Sequence, residues 1–286
     1  MLFNKKTDFK VKFWGVRGSI PVPGKKFAKY GGNTSCVELR CGDEIIVLDA
    51  GTGIRALGRS LLQEFNNQPL KINILISHTH WDHIQGFPFL PQIYIPGNTI
   101  TFFGGHSVST LEKLIMVQMS EEYHPKTLYE LAAKVEFVQL SGSEFSIGNA
   151  KILFTHLIHP GLALGFRITY NNRVVAYLTD NEILSDKQLS RYNWENIGKL
   201  IQNADIVIHD AQYSPEEYAK KIGWGHSSYD QVVEICKDYN VKKLFLFHHD
   251  PIKTDKEIDV FVKKARLKAG CGLKVFGAKE FDEYYL

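Results

Sequence analysis

Four side chains able to bind a metal ion fall within six consecutive residues, His78-Thr79-His80-Trp81-Asp82-His83. Imidazole nitrogens and carboxylate oxygens are donors that zinc-like cations accept. A loop can turn His78 and His80 to one side and Asp82 and His83 to another, which suits two adjacent ions. So polar a run does not belong in a core. As a merely solvated turn it would leave the apolar strand before it delivering its chain end to nothing. Other His and Asp residues stand near the ends of apolar runs further on: His156 and His159 in THLIHPG, Asp180 in YLTD, Asp210 in IHDAQY, and His248 and His249 in FHHDP. The four cysteines, Cys36, Cys41, Cys236 and Cys271, include no Cys-x-x-Cys pair. They read as reduced, mostly buried thiols and not as a disulfide framework or a thiolate metal site.

The elements that must position these groups can be read from apolar spacing. Strands are expected over 9–16, 34–40 and 44–50, joined by Gly-rich turns. Ile54, Leu57, Leu61, Leu62 and Phe65 recur at helical spacing, and that helix ends before Asn66, Asn67 and Pro69. The run KINILIS (71–77) is almost wholly apolar, as a strand buried on both faces requires, and it leads directly into His78. Helices near 107–119 and 127–133 are followed by strands at 135–140, 144–148, 150–158, 163–170 and 173–179. The last third alternates helix 194–203, strand 205–209, helices 215–221 and 228–239, strand 243–248 and helix 255–268. Strands that dominate early and alternate with helices late fit an α/β fold of two mixed sheets covered by helices. In GHSS (225–228), Ser227 is a candidate N-cap with Asp230 three residues on. That would set His226 beside a helix N-terminus, where free N–H groups favour anions.

Composition narrows the class. The chain has 286 residues, and 34 Lys and Arg against 31 Asp and Glu leave a net charge of +3. No broad basic face for a polyanion is implied. A chain of this size buries roughly 75% of the surface it exposes unfolded. No window approaches the ~20 apolar residues that cross a bilayer. The polar start MLFNKKTDFK lacks the apolar core of a secretion signal, so a cytoplasmic protein with no membrane partner is expected.

Taken with these motifs, the sequence resembles the metallo-β-lactamase superfamily, whose defining pattern is His-x-His-x-Asp-His. The resemblance covers essentially the whole chain. It implies an αββα sandwich, a single domain over 1–286 with a helical insertion near 105–134, and two divalent metal ions. Zinc is the first expectation, with manganese or iron left open by donor type. It also implies the remaining ligands. His159 is preferred to His156, because His-Pro-Gly is similar to a motif of the phosphodiesterase-type branch and His156 falls inside an apolar run where a packed core residue is expected. Asp180 would bridge the metals, since its two oxygens can serve two cations. His248 is preferred to His249 by motif register, and His249 or Asp250 would orient a ligand ring. The implied site has His78, His80 and His159 on one ion and Asp82, His83 and His248 on the other. Asp82 and His226 are the expected catalytic residues. Asp49, in LDAGTG, would support the metal loop by hydrogen bonds.

The implied chemistry is dinuclear-metal hydrolysis of a phosphodiester through a metal-bridging hydroxide, with His226 near the phosphate. The segments GVRGSIP (15–21) and YGGNTSC (30–36), with His-His-Asp-Pro, are similar to those of cyclic-phosphate hydrolases. A small cyclic phosphate or cyclic nucleotide is therefore the leading substrate. In those segments Arg17 or Asn33 would meet phosphate unless the turns are merely turns. A tRNA 3′-processing endoribonuclease is the alternative, since it shares the Gly-His-Ser motif. It is ranked second because only 20 residues, filled by strand signals, separate His159 from Asp180, where such enzymes often carry a basic arm. A non-catalytic metal-binding sensor or interaction scaffold is the alternative of another class. The 105–134 segment either covers the site or forms a homodimer contact, and the sequence leaves both open.

Overall fold

The computed structural model describes residues 9–66, 68–125, 130–184 and 187–286, with the backbone alone for 187–192. Residues 1–8 of the N-terminal decapeptide lie outside them, as do Asn67 and residues 127–129; of the helix expected at 127–133, the described residues 131–133 are not helical but form the approach to the next strand. The chain divides into two compact units, each discontinuous in sequence. The first comprises Met1–Gly15, Asn33–Ser141 and Glu280–Leu286; the second comprises Val16–Gly32 and Gly142–Lys279.

The first unit is built on a sheet of seven strands: β1 (Phe9–Gly15), β2 (Cys36–Cys41), β3 (Glu44–Leu48), β4 (Lys71–Leu75), β5 (Thr99–Gly104), β6 (Lys134–Gln139) and the last strand of the chain, β14 (Glu283–Tyr285). Their order is β14-β1-β2-β3-β4-β5-β6. Pairing is antiparallel from β14 to β3 and parallel from β3 to β6. Helices α1 (Ile54–Phe65) and α3 (Val108–Met116) are crossovers between parallel strands, and α2 (Trp81–Ile84) is a single turn. Ile54, Leu57 and Leu61 of α1 share a core with Ile72 and Ile74 of β4, Ile100 and Phe102 of β5, and Leu111 and Ile115 of α3. Helix α1 stops at Asn66, which takes the left-handed conformation at φ 47°, a C-terminal role suited to Asn. The helix read near 107–119 is α3, and it lies within the β5-to-β6 crossover.

The second unit mirrors that plan. Strands β7 (Glu144–Ile147), β8 (Ala150–His156), β9 (Leu164–Tyr170) and β10 (Arg173–Leu178) form an antiparallel meander. Strands β11 (Ile206–Asp210), β12 (Lys243–Phe247) and β13 (Lys274–Gly277) extend it in parallel. The helices are α4 (Lys187–Ile201), α5 (Pro215–Tyr218), α6 (Tyr229–Asp238) and α7 (Asp255–Ala269). Val232, Val233 and Cys236 of α6 and Val262 and Ala265 of α7 pack with Val207, Leu244, Leu246 and Val275 of the sheet. Both units are thus mixed seven-stranded sheets flanked by helices.

Three strands were not expected from sequence. β5 alternates half-buried and buried residues along TITFFG, but it is framed by Gly-rich turns that mask the pattern. β13 and β14 are only four and three residues long, too short for periodicity to register. Helix α4 begins at Lys187, seven residues before the expected start at 194, because its first two turns are rich in polar residues and carry little apolar signal. Cys36, Cys41 and Cys236 are buried thiols and Cys271 is exposed. Burial pushes the Cys41 thiol up to about 12, so it offers no thiolate to a metal.

Candidate functional site

Parallel pairing brings strand carboxyl ends to one edge of a sheet, which is where α/β folds place ligands. In the first unit β3 and β4 end together. Just past β3, Asp49 is fully buried with φ 60°, a conformation uncommon for non-glycine residues and taken most readily by Asn and Asp. Its Oδ1 accepts the Ser77 backbone N–H at 2.7 Å, and its Oδ2 accepts the Ser77 hydroxyl at 2.7 Å. Oδ2 also faces His83 Nδ1 at 2.8 Å. A carboxylate can only accept, so His83 Nδ1 carries the hydrogen and its Nε2 lone pair points away, 3.2 Å from Asp82 Oδ2. The His78 ring lies 4.5 Å from that of His80 and 4.2 Å from that of His83. His78, Asp82 and His83 are buried, and His80 is exposed. A Cβ on Gly51 would overlap the Asp82 carbonyl, so the Asp-Ala-Gly turn can lie against α2 only as glycine.

In the second unit the donors come from four separate places. Asp180, past β10, and His248, past β12, have φ 52° and 54°, so each strand breaks at the residue that carries the functional group. Asp180 Oδ1 lies 3.1 Å from His248 Nε2, and Oδ2 lies 3.6 Å from His159 Nε2. The Thr179 hydroxyl donates to Asp180 Oδ1 at 2.7 Å. His159 Nδ1 is 2.9 Å from the Gly225 carbonyl, which selects the tautomer with Nε2 bare. His226 stacks on His248 with centroids 5.1 Å apart and meets His159 edge-on at 5.2 Å. Ligand atoms of Asp180, His226 and His248 all fall within 4.8 Å of one another.

Behind these side chains lies a polar scaffold. Asp210, the last residue of β11, accepts the backbone N–H groups of Asn181 at 3.0 Å and Ser227 at 3.1 Å, and its Oδ2 faces His226 Nδ1 at 3.3 Å. Burial alone would raise its pKa, but His209 and His226 outweigh that and hold it at about 2. His226 is therefore presented with a permanently ionised partner on Nδ1. Glu182 accepts from the N–H groups of Gly223 at 2.8 Å and Gly225 at 2.9 Å and from the Tyr218 hydroxyl at 3.1 Å, so it holds the loop that carries both the Gly225 carbonyl and His226. A Cβ on Gly18 would overlap the His248 ring, and one on Gly225 would overlap His159. Sequence reasoning missed Glu182 and Gly18. The signal for the first was an acidic residue two positions past Asp180; the second stood in GVRGSIP, a segment read for its arginine and not for its glycine.

Several expectations change. His156 ends β8 exposed and is not a packed core residue. His249 turns away from the other histidines: its Nε2 donates to the Ala278 carbonyl at 3.0 Å, its ring meets Tyr30 edge-on, and burial lowers its pKa to about 3. Arg17 is fully buried, with Nε donating to the Gly31 carbonyl and Nη1 to the Lys253 carbonyl, both at 2.8 Å. It ties the 16–32 segment in place and is not open to a phosphate. Asn33 is held by Glu280. The N-cap of α6 is Ser228, not Ser227; Ser228 N–H donates to Gln231 in a capping box. Ser227 instead donates its hydroxyl to the Asn181 carbonyl at 2.6 Å and accepts from the Ile183 N–H at 3.0 Å. His209 is a buried structural residue bonded to Asn181 and the Asp210 carbonyl.

A model of the β-lactamase superfamily domain matches residues 44–249. The chain belongs to the β-lactamase superfamily. A curated superfamily relative, Ribonuclease Z of Macrococcus caseolyticus, is 25% identical over 251 residues, spanning 74% of this chain and 80% of its own. The metallo-β-lactamase fold protein YhfI of Bacillus subtilis superposes with a TM-score of 0.69 at 20% identity, covering 98% of this chain and 99% of that one. The short form of human tRNase Z superposes with a TM-score of 0.65 at 21% identity, covering 96% and 98%. The fold of this superfamily member is accordingly the metallo-β-lactamase fold. Its donor set of buried imidazoles and carboxylates suits divalent metal ions.

Proposed function

We propose that the protein is a metal-dependent phosphodiester hydrolase acting on RNA in the manner of a tRNA 3′-processing endoribonuclease. The observation that carries this reading is the alignment with a Ribonuclease Z along 80% of that protein's length. It favours RNA over the cyclic nucleotide first expected. The balanced charge does not oppose it, because a net charge of +3 describes the whole chain and not a local face.

The residues proposed as cation ligands are His78, His80, Asp82 and His83 in the first unit and His159, Asp180 and His248 in the second. Divalent ions, zinc foremost, would supply Lewis acidity and a nucleophile available near neutral pH. The chain's own part is clearer in the tautomers it sets. His83 and His159 have their Nδ1 positions engaged by Asp49 and the Gly225 carbonyl, so both present Nε2. His226, with ionised Asp210 behind its Nδ1, is suited to hold a proton at Nε2 and pass it to the leaving oxygen while Asp210 remains a carboxylate.

A second reading, a small phosphodiester or cyclic phosphate, is favoured by one feature. The residues between His159 and Asp180 are taken up by a short loop, β9, β10 and the turn joining the two strands, and no basic arm stands there. Metal-reconstituted protein should be given a tRNA precursor with a 3′ trailer, and separately 2′,3′- and 3′,5′-cyclic nucleotides. Endonucleolytic release of the trailer is expected. Turnover of a cyclic nucleotide with the precursor left intact would select the second reading.

A further inference from the structure

The first unit contains a cavity of about 500 Å³, within the size range of small-ligand sites. Trp81, Phe89 and Tyr123 line it from three separate segments, and they are 62%, 56% and 69% exposed. Three large aromatics left open to water around one hollow are not serving the core. Their faces are the surface on which nucleobases stack, whatever the base. Gln85 also lines the cavity and brings an amide group able to bond a base edge.

Arg55 stands on the wall of the same cavity, exposed in the first turn of α1. It forms no ion pair with any described residue, and the first turn of α1 contains no acid. An uncompensated guanidinium at a helix N-terminus favours a phosphate. Trp81 lies between His80 and Asp82 in the chain, so the cavity opens beside the His78–His83 segment.

We infer that this cavity is a nucleotide subsite: a base stacks among Trp81, Phe89 and Tyr123, Arg55 pairs with its phosphate, and the adjoining phosphodiester is directed toward the His78–His83 segment. The inference rests on the phosphodiesterase reading and adds a requirement for a base. It is tested by titrating the metal-loaded protein calorimetrically with AMP and with ribose 5-phosphate at one salt concentration. AMP should bind roughly 10-fold or more tightly than the base-free sugar phosphate. Trp81→Ala and, on a different segment, Tyr123→Ala should each erase most of that preference and leave ribose 5-phosphate binding unchanged. Trp81→Phe should retain it, and Arg55→Gln should weaken both ligands alike. Equal binding of the two ligands, no binding of AMP, or a preference that survives both alanine variants overturns the subsite. Turnover of bis-p-nitrophenyl phosphate by the same samples reports separately on the phosphodiesterase reading: its absence with the base preference intact would remove that reading alone.

Discussion

The two units present their metal-capable side chains in opposite ways. In the first, His78, His80, Asp82 and His83 come from one strand end and one helical turn, and a single carboxylate, Asp49, secures that segment by bonding Ser77 twice and His83 once. In the second, His159, Asp180, His226 and His248 come from four distant segments, held by Glu182, Asp210, Asn181 and Ser227 and by the space left at Gly18 and Gly225. A local constellation can depend on one anchor; a dispersed one divides the work among several. That contrast predicts how the site should fail.

The largest effect is expected at the single anchor. Asp49→Ala removes the shared acceptor of three buried donors at once, which should cost about 3 kcal/mol of stability and abolish metal binding. Denaturant unfolding and metal analysis of the variant would check this, and a stable variant with full metal content would break the one-anchor account. Next, His226→Ala should lower turnover by about 10²–10⁴-fold and leave metal content intact. Loss of metal would instead place His226 among the ligands. Glu182→Gln removes one carboxylate from a shared network, so a smaller cost of about 1–3 kcal/mol is expected, with reduced turnover as the Gly225 loop loosens. A cost matching that of Asp49→Ala would end the contrast between the units.

The smallest effect is a pH slope in the second unit. His249 has its pKa lowered from 6.5 to about 3, so the unfolded chain binds the extra proton first. Its contribution is fully present above about 6.5 and is lost as pH falls from there to about 3, at close to 1.4 kcal/mol per pH unit for one proton. Asp210, lowered from 3.8 to about 2, adds a further loss below about 3.8. His249→Gln should flatten the upper part of the slope in denaturant titrations of the metal-free protein, and an unchanged slope would show that His249 is not the group titrating.

The order and spacing of the apolar runs pointed to an α/β protein of two mixed sheets, and most elements lie within two or three residues of their expected bounds. The misses have physical causes. β5, β13 and β14 are short or framed by glycine, and α4 opens with polar turns, so neither produces much apolar period. Among the described residues no helix is long and apolar enough to cross a membrane.

What the sequence alone determined is what the chain decides over a few residues. An apolar strand running into His-Thr-His-Trp-Asp-His must deliver four donors together, because neighbours in the chain cannot be far apart in space. What only the tertiary structure decided depends on residues remote in sequence. The approach of the Gly225 carbonyl gives His159 its tautomer and its place near Asp180, and His156 has no such partner. Packing against Ala278 and Tyr30 removes His249 and leaves His248 against Asp180. Arg17, read from its glycine-rich setting as a possible phosphate contact, is consumed by backbone carbonyls near residues 31 and 253. Such choices turn on which groups share a buried volume and must satisfy one another there. That is settled by packing and hydrogen bonding across the fold, and no local pattern of residue types records it.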